Sequence, residues 1–413
     1  DAKNAVTWIP NFDGTCLEPE YLPAKIPLLL INGSFGIGVG LLTQIPKHNI
    51  NEVIDATLHL MKHPNAEITL IPDQCMPCEI VDTDWDNISR TGKGKFTVRG
   101  IIEVSNYKGN PALIIKSTPD LVFLDNVTEK IDALIKDKKL PQIIDMIDDS
   151  DPDNMRFIIV LKKGSDPNFL RDIIYKNTLM EKSVSVNFEA LDGIEPMRLS
   201  YKGYLQLFLS HTKEVKFRKY SNKLQYYKTR LHEKDAYIKA LESGKIDQVI
   251  SMIRKSKKTD EQYLVNYLIK TLKITDLQAE FILRSSIKSL SIGYLNKYKE
   301  DAVDCLANIK VCEAMLTNEK LIEKEIEEDL KYYKKKYGRP RNCRIISKAE
   351  VSNIPKGTFR IIITENNFIK KIAVIESIGI FRNDTPTTFL MDEDEDNILI
   401  FDTNARVYKL PIW

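Results

Sequence analysis

The chain has 413 residues, too many for one ordinary domain, so about two to four domains are expected. Apolar residues at 43% can fill real cores, and charged residues at 29% suit long solvated helices. A net charge of +2 excludes any argument for nucleic acid from overall charge, so only local clusters can make one.

The first 200 residues alternate short apolar runs with helical patterns. Ile26 to Ile31 reads as a buried strand entering a glycine-rich turn, Gly33 to Gly40. Asn51 opens an amphipathic helix to about Lys62. Phe96–Val104 and Ala112–Lys116 read as paired strands across an Asn-Tyr-Lys-Gly-Asn turn. Val127 to Lys136 reads as a helix and Phe157 to Leu161 as a further strand, which together imply an α+β domain.

From about Leu205 the pattern changes. Tyr220, Leu224, Tyr227, Leu231 and Ile238 fall near heptad spacing, and Ile322, Ile326, Leu330, Tyr333 and Tyr337 do the same later. Two long helices around a folded insert predict an antiparallel coiled coil carrying a small helical knob. Within the insert, Thr259-Asp-Glu-Gln262 and Thr275-Asp-Leu-Gln278 are capping boxes. After Gly338-Arg-Pro-Arg341 the chain reads as strands. Thr364–Ile372 and Asp402–Leu410 repeat at an offset of 38 residues, each as strand, polar turn, strand. A period of about 40 with paired strands marks propeller blades, of which one or two would fit before Trp413.

No apolar run reaches membrane-spanning length, and the first residues lack a secretory signal pattern. Six scattered cysteines (Cys16, Cys75, Cys78, Cys305, Cys312, Cys343) make no disulfide framework, which favours a reducing, intracellular setting. The sequence opens at Asp1 without methionine, so a fragment, a processed product or a partial chain is expected.

Few motifs carry chemistry. Gly33 to Gly40 lacks the Gly-Lys-[Ser/Thr] of a P-loop and a suitable acid about 20 residues on, so a tight turn is the better reading. Ile37 among those glycines fits either a core position or a wedge pushed between base steps to kink a duplex. Arg90-Thr-Gly-Lys-Gly-Lys95 is a basic turn, either solvated or in contact with phosphates. Lys213 to Arg230 holds seven basic residues against the single acid Glu214, either a solvated helix face or a surface near nucleic acid. His59, His63, Cys75 and Cys78 have the donor types of tetrahedral zinc in an atypical order. Asp392 to Asp396 reads as an acidic solvated turn. None of the 17 tyrosines directly follows an arginine.

In order, Ile9-Pro-Asn-Phe-Asp-Gly-Thr15, Leu22-Pro-Ala-Lys-Ile-Pro27, Leu30 to Gly40, Ile45-Pro-Lys-His-Asn49 and Arg90 to Lys95 resemble the A subunit of bacterial-type type IIA topoisomerases, DNA gyrase and topoisomerase IV. Asp149 to Arg156, Tyr175-Lys-Asn-Thr178 with Val186-Asn187, and Gln278-Ala279 with Ile282-Leu283 extend the resemblance collinearly to about residue 345. It implies a multidomain α+β architecture: a tower-type α/β domain, a long antiparallel coiled coil with a helical dimerisation knob, and the start of a propeller-like β domain. The expected segments are 1–40 with a DNA-intercalating loop, 41–204 the tower, 205–240 the outgoing helix, 241–311 the exit-gate dimerisation domain, 312–345 the returning helix and 346–413 the C-terminal β domain.

The resemblance also implies that Ile37 is the wedge and that Asn32, Lys47, His48, Arg90, Lys93 and Lys95 contact DNA. The implied partners are duplex DNA, a second copy through the exit gate, and a B-type subunit that holds Mg2+ and ATP, in the cytoplasm on the nucleoid. The family's nucleophilic tyrosine follows an arginine in a winged-helix segment expected upstream of this sequence, so no catalytic residue is carried over. The family loop aligned with Cys75–Cys78 lacks cysteines, which weakens the zinc reading. No DNA-wrapping box is recognisable in the tail, so relaxation or decatenation is expected rather than supercoiling. The alternatives are a non-catalytic DNA-binding, dimerising module and a coiled-coil scaffold.

Overall fold

The computed structural model describes residues 5–137, 140–152, 154–192, 195–255 and 261–351, then strands at 359–364, 369–373, 386–391, 397–401 and 406–411. The chain divides into two compact units. One comprises Asp1–Gln74, Asp84–Lys95 and Ser185–Arg341; the other comprises Cys75–Thr83, Phe96–Val184 and Asn342–Trp413.

In the first unit the Ile26–Ile31 run is not the expected strand but the helix Leu28–Asn32. Pro27 gives no N–H to a ladder, and its fixed φ of −73° launches a helix. Gly33 ends it at φ 68°, where any Cβ would lie 2.6 Å from the Ile45 carbonyl oxygen. The next residues form a hairpin, Ser34–Gly38 against Leu41–Ile45, with Ile37 opposite Leu42 and Phe35 opposite Gln44. Helix Ile50–Lys62 follows, its start capped by the Asn49 side chain, which accepts from the Asn51 N–H at 2.9 Å. It buries Ile50, Val53, Ile54, Thr57 and Leu60 on one stripe. Its outer side meets the end of the stalk, where Asp55 pairs with Lys334 at 2.6 Å and Glu52 accepts from Arg341 Nε at 2.8 Å.

The outgoing helix runs Tyr201–Glu242, longer at both ends than the sequence pattern suggested. Ser200 caps it, accepting from the Gly203 N–H at 2.9 Å. The return begins at Leu295 rather than at 312: helix Leu295–Thr317 lies antiparallel to the outgoing one, with ion pairs Glu242–Lys299 (2.7 Å), Lys234–Asp301 (3.7 Å) and Lys228–Glu313 (3.0 Å). Its buried stripe is Tyr298, Ala302, Cys305, Ile309 and Cys312 at heptad spacing, small or weakly apolar residues that a reading based on Leu and Ile heptads did not pick out. A second helix, Glu319–Tyr337, continues after Asn318, whose side chain accepts from the Lys320 N–H. Ile322, Ile326 and Leu330 are buried there as expected, but Tyr337 is exposed. Tyr220, Leu224, Tyr227, Leu231 and Ile238 are only half-buried. The positions of the outgoing helix that are buried are Leu205, Leu209, Lys216, Ala236, Tyr237, Ala240 and Leu241, so the expected heptad is not its buried seam.

Between the arms, helices Ile246–Lys255, Glu261–Leu272 and Asp276–Leu283 close around Leu241, Val249, Leu268, Ile274, Ile282 and Tyr298. The Thr275 capping box is formed in full, and Thr275 also bonds His232 Nε2 at 2.8 Å, tying the knob to the stalk. Part of the other box, including Thr259, lies outside the described residues.

The second unit carries a four-stranded antiparallel sheet, ordered Ile102–Tyr107, Asn110–Ile115, Phe157–Leu161, Ile143–Asp148. Helices Leu124–Lys136 and Pro167–Asn177 pack their buried faces with it through Leu113, Ile115, Val127, Ile131, Ile159 and Ile174. The run Phe96–Val104 is not one strand. It breaks after Arg99, where the Gly100 N–H donates to the Met180 carbonyl (2.9 Å) and leaves the ladder. Arg344–Ile346 pairs parallel with Glu79–Val81. In the tail, Phe359–Thr364 pairs with Ile369–Ala373, and Asn397–Phe401 with Val407–Pro411, so both copies of the 38-residue repeat are strand pairs. No propeller is formed among the described residues, and Asp392–Asp396 lies outside them.

Candidate nucleic-acid interface

The alternation Phe35-Gly-Ile-Gly-Val-Gly40 acquires its meaning from the hairpin. Successive side chains of a strand point to opposite faces, so Phe35 and Ile37 share one face, while on the other Gly36 and Gly38 add nothing to Thr43 and Leu41 of the partner strand. Ile37 is 78% exposed, Phe35 61%, and Val39 at the tip fully so. Leu41 and Leu42 on the partner strand are exposed as well. The core reading of Ile37 is therefore excluded. A contiguous apolar ribbon in water marks a surface that something covers.

The hairpin is joined to the basic turn through the chain around Asn187. Asn187 pairs with Gln44, and its side-chain amide donates to the Leu42 carbonyl. The next residue, Phe188, donates its N–H to the Gly92 carbonyl at 2.7 Å. Arg90 closes the helix Trp85–Thr91, and Lys93 opens the following strand, so the basic stretch is a helix end and a strand start rather than a flexible loop. Gly92 between them sits at φ 64°, and the Leu199 carbonyl oxygen occupies the space that a Cβ would need. Only glycine fits there. Lys93 and Lys95, two residues apart, are exposed on one face of the strand while Phe96 and Val98 are buried. Among the described residues, the Arg90 side chain bonds only that of Asn87, one helical turn earlier, at 3.3 Å. Among the described residues, Arg90, Lys93 and Lys95 have no carboxylate partner. Three unneutralised cations beside an apolar ribbon suit a polyanion with an apolar interior, which is the chemistry of a nucleic-acid duplex.

The remaining expected contacts divide. Asn32 is exposed at the helix end before Gly33, and Lys47 is half-buried, its carbonyl accepting from the Asp73 N–H at 2.8 Å. His48 is corrected: it is 3% exposed and cannot touch a duplex lying on the surface. Its Nδ1 lies 3.1 Å from the Leu30 carbonyl oxygen, and its ring meets the Tyr201 ring edge-on at 5.0 Å. Burial drives its pKa down to about 4, so the imidazole is neutral and structural. Most of the stalk cluster also resolves in favour of structure. Lys213 pairs with Glu319 and Glu323, Lys216 with Glu325 and Asp329, Lys219 with Glu325, and Arg218 with Glu214. His59 and His63 are neighbours with ring centroids 5.0 Å apart. Among the described residues, no three or more His, Cys, Asp or Glu side chains gather into a metal site. Nor is any described helix long and apolar enough to cross a membrane.

The sequence profile of the DNA gyrase/topoisomerase IV A subunit matches residues 1–331. The chain belongs to that family. It is 34% identical over 356 residues to the topoisomerase 4 A subunit of Bacillus subtilis, covering 84% of this chain and 44% of that protein. It is 31% identical over 435 residues to the DNA gyrase A subunit of Aminobacterium colombiense, covering 99% of this chain and 53% of that protein. The chloroplastic/mitochondrial DNA gyrase A subunit of Nicotiana benthamiana is 30% identical over 439 residues, covering all of this chain and 46% of that protein. The chain thus spans about half the length of the curated relatives it matches. Within this gyrase/topoisomerase IV framework, Phe35, Val39, Leu41 and Leu42 are exposed residues that reasoning from motifs passed over. Their signal was present as a period-2 alternation of apolar residue and glycine.

Proposed function

We propose that this chain is the DNA-gate and exit-gate part of an ATP-dependent type II topoisomerase, an assembly that breaks, passes and rejoins duplex DNA. The exposed hairpin carrying Ile37, joined to the unpaired Arg90, Lys93 and Lys95, is the observation that carries this reading. Ile37 enters a base step and opens it, and the three cations with Asn32 and Lys47 hold the flanking phosphates. The energies are of matching size. Burying an Ile, Phe or Val side chain returns about 1.5–3 kcal/mol, and bending a short site by a large angle costs roughly 1–6 kcal/mol. A few such side chains with their phosphate contacts can hold the bend.

The knob dimerises with a second copy and keeps the exit gate closed while the bent segment is cut. The stalk transmits the state of one gate to the other. A B-type partner protein holds ATP and Mg2+ and supplies turnover and charge stabilisation. The nucleophile is a tyrosine in an Arg-Tyr segment that this sequence does not contain.

Two measurements test the reading. Ile37→Ala should reduce duplex bending, seen as end-to-end energy transfer, with dimerisation intact; an unchanged bend removes the wedge. DNA cleavage with a B-type partner should trap a protein–DNA adduct only when a winged-helix Arg-Tyr segment is added. Salt-sensitive duplex binding with no adduct in either arm would make the chain a gripping and dimerising module without chemistry.

A further inference from the structure

We infer that Phe35 is a second base-contacting residue, set two base steps from Ile37, and that it biases which sequences the gate grips. The inference rests on the DNA-gate reading above and adds a specificity-determining residue to it. Phe35 and Ile37 stand at positions i and i+2 of one strand, on the same exposed face. That spacing is about 6.8 Å along an antiparallel strand, twice the roughly 3.4 Å rise of a base pair. A ribbon aligned with the duplex therefore presents its two side chains in register with alternate steps. On this strand Gly36 and Gly38 put no side chain on the reverse face, which Thr43 and Leu41 of the partner strand occupy, and no atom lies closer than 3.7 Å to a Cβ built at either glycine.

The two residues differ in chemistry and in support. Ile37 is aliphatic, lies nearer the tip and pairs with Leu42. Phe35 lies nearer the base, opposite Gln44, the residue that Asn187 anchors. Its backbone is consequently held by the most supported part of the hairpin, and its exposed aromatic face can stack on a base that the neighbouring wedge has loosened. The occupant is duplex DNA rather than a protein because the framework leading through Asn187 and Phe188 ends at unpaired Arg90, Lys93 and Lys95. An apolar protein partner would leave those cations without a counter-charge.

The test is selection of duplexes with randomised steps around the bend centre by the full chain, comparing the native protein with Phe35→Ser, Phe35→Leu and Ile37→Ala. Phe35→Ser should keep most of the bend, lose about tenfold in affinity, and flatten sequence preference two steps from the bend centre. Phe35→Leu should restore affinity in part while leaving that preference flattened. A side chain this exposed should leave the melting temperature unchanged, which separates contact from folding. Preference unchanged in Phe35→Ser while Ile37→Ala abolishes the bend overturns the inference and leaves the gate reading standing. Bending and affinity unchanged in both variants overturn the gate reading itself. Loss of the whole bend in Phe35→Ser would make the two residues one wedge and also overturn the inference.

Discussion

Arg90 to Lys95 and Lys213 to Arg230 are both basic stretches, and the fold treats them oppositely. On the stalk Lys213, Lys216, Lys219 and Lys228 of the outgoing helix are met by Glu313, Glu319, Glu323, Glu325 and Asp329 of the returning ones, and Arg218 by Glu214, while Arg230 bonds the Tyr226 hydroxyl. Lys216, 9% exposed at its side chain, lies 2.9 Å from Glu325 and 2.7 Å from Asp329. Burial pushes both carboxyls up, but the Lys216 ammonium outweighs it, and both end below their usual range. At the turn, by contrast, Arg90, Lys93 and Lys95 face solvent without a carboxylate partner among the described residues. A cluster of like charge therefore indicates nucleic acid only after its internal partners have been subtracted. The subtraction needs residues more than 100 positions away in the chain.

The largest effect that would sharpen this contrast is expected at Lys216. Lys216→Ala leaves Glu325 and Asp329 without their shared cation and should cost about 3 kcal/mol, read as a lower unfolding midpoint. The salt dependence of DNA binding should not move. Unaltered stability would mean that the stalk pairs are ornaments of the surface, and the contrast would fail.

His48 supplies the next test, since it was grouped with the turn and the fold places it among the buried residues. Its folded pKa of about 4 lies below its ordinary 6.5, so the unfolded chain takes up a proton that the folded one refuses. Stability should therefore fall as pH drops from about 6.5 to about 4 and then level off, by about 3 kcal/mol in all. Denaturant titrations of native protein and His48→Gln across that range should show this loss only in the native protein. Equal slopes would place His48 outside the buried class.

The turn should give the smallest change in stability and the clearest change in binding. Replacing Arg90, Lys93 and Lys95 together by Ala should leave the melting temperature alone. The slope of log affinity against log salt should fall by up to about 0.9 for each phosphate that the protein no longer neutralises. An unchanged slope would make the turn a merely solvated one.

How much of this was legible in the sequence depends on the range of the interactions. Local chemistry was readable: the Thr275 capping box, the helix after Asn49, the out-and-back stalk and the strand pairs of the tail repeat all follow from neighbours within a few residues. The Gly33–Gly40 run, expected as a tight turn, is mostly the strand Ser34–Gly38 with a turn only at its end, whereas the ordered motifs were sufficient to recognise the family of gyrase and topoisomerase IV A subunits.

Tertiary structure decided the rest. Whether Ile37 is core or wedge depends on what lies above a strand, and among the described residues nothing covers it. Whether a lysine is free depends on a distant carboxylate, as Lys216 and Lys93 illustrate. His48, written beside Lys47 among apparent DNA contacts, is drawn inward by the Leu30 carbonyl and the Tyr201 ring. Sequence patterning sets which backbone forms and which residue types are available. Burial and charge compensation are properties of packed neighbours, and only the fold brings those neighbours together.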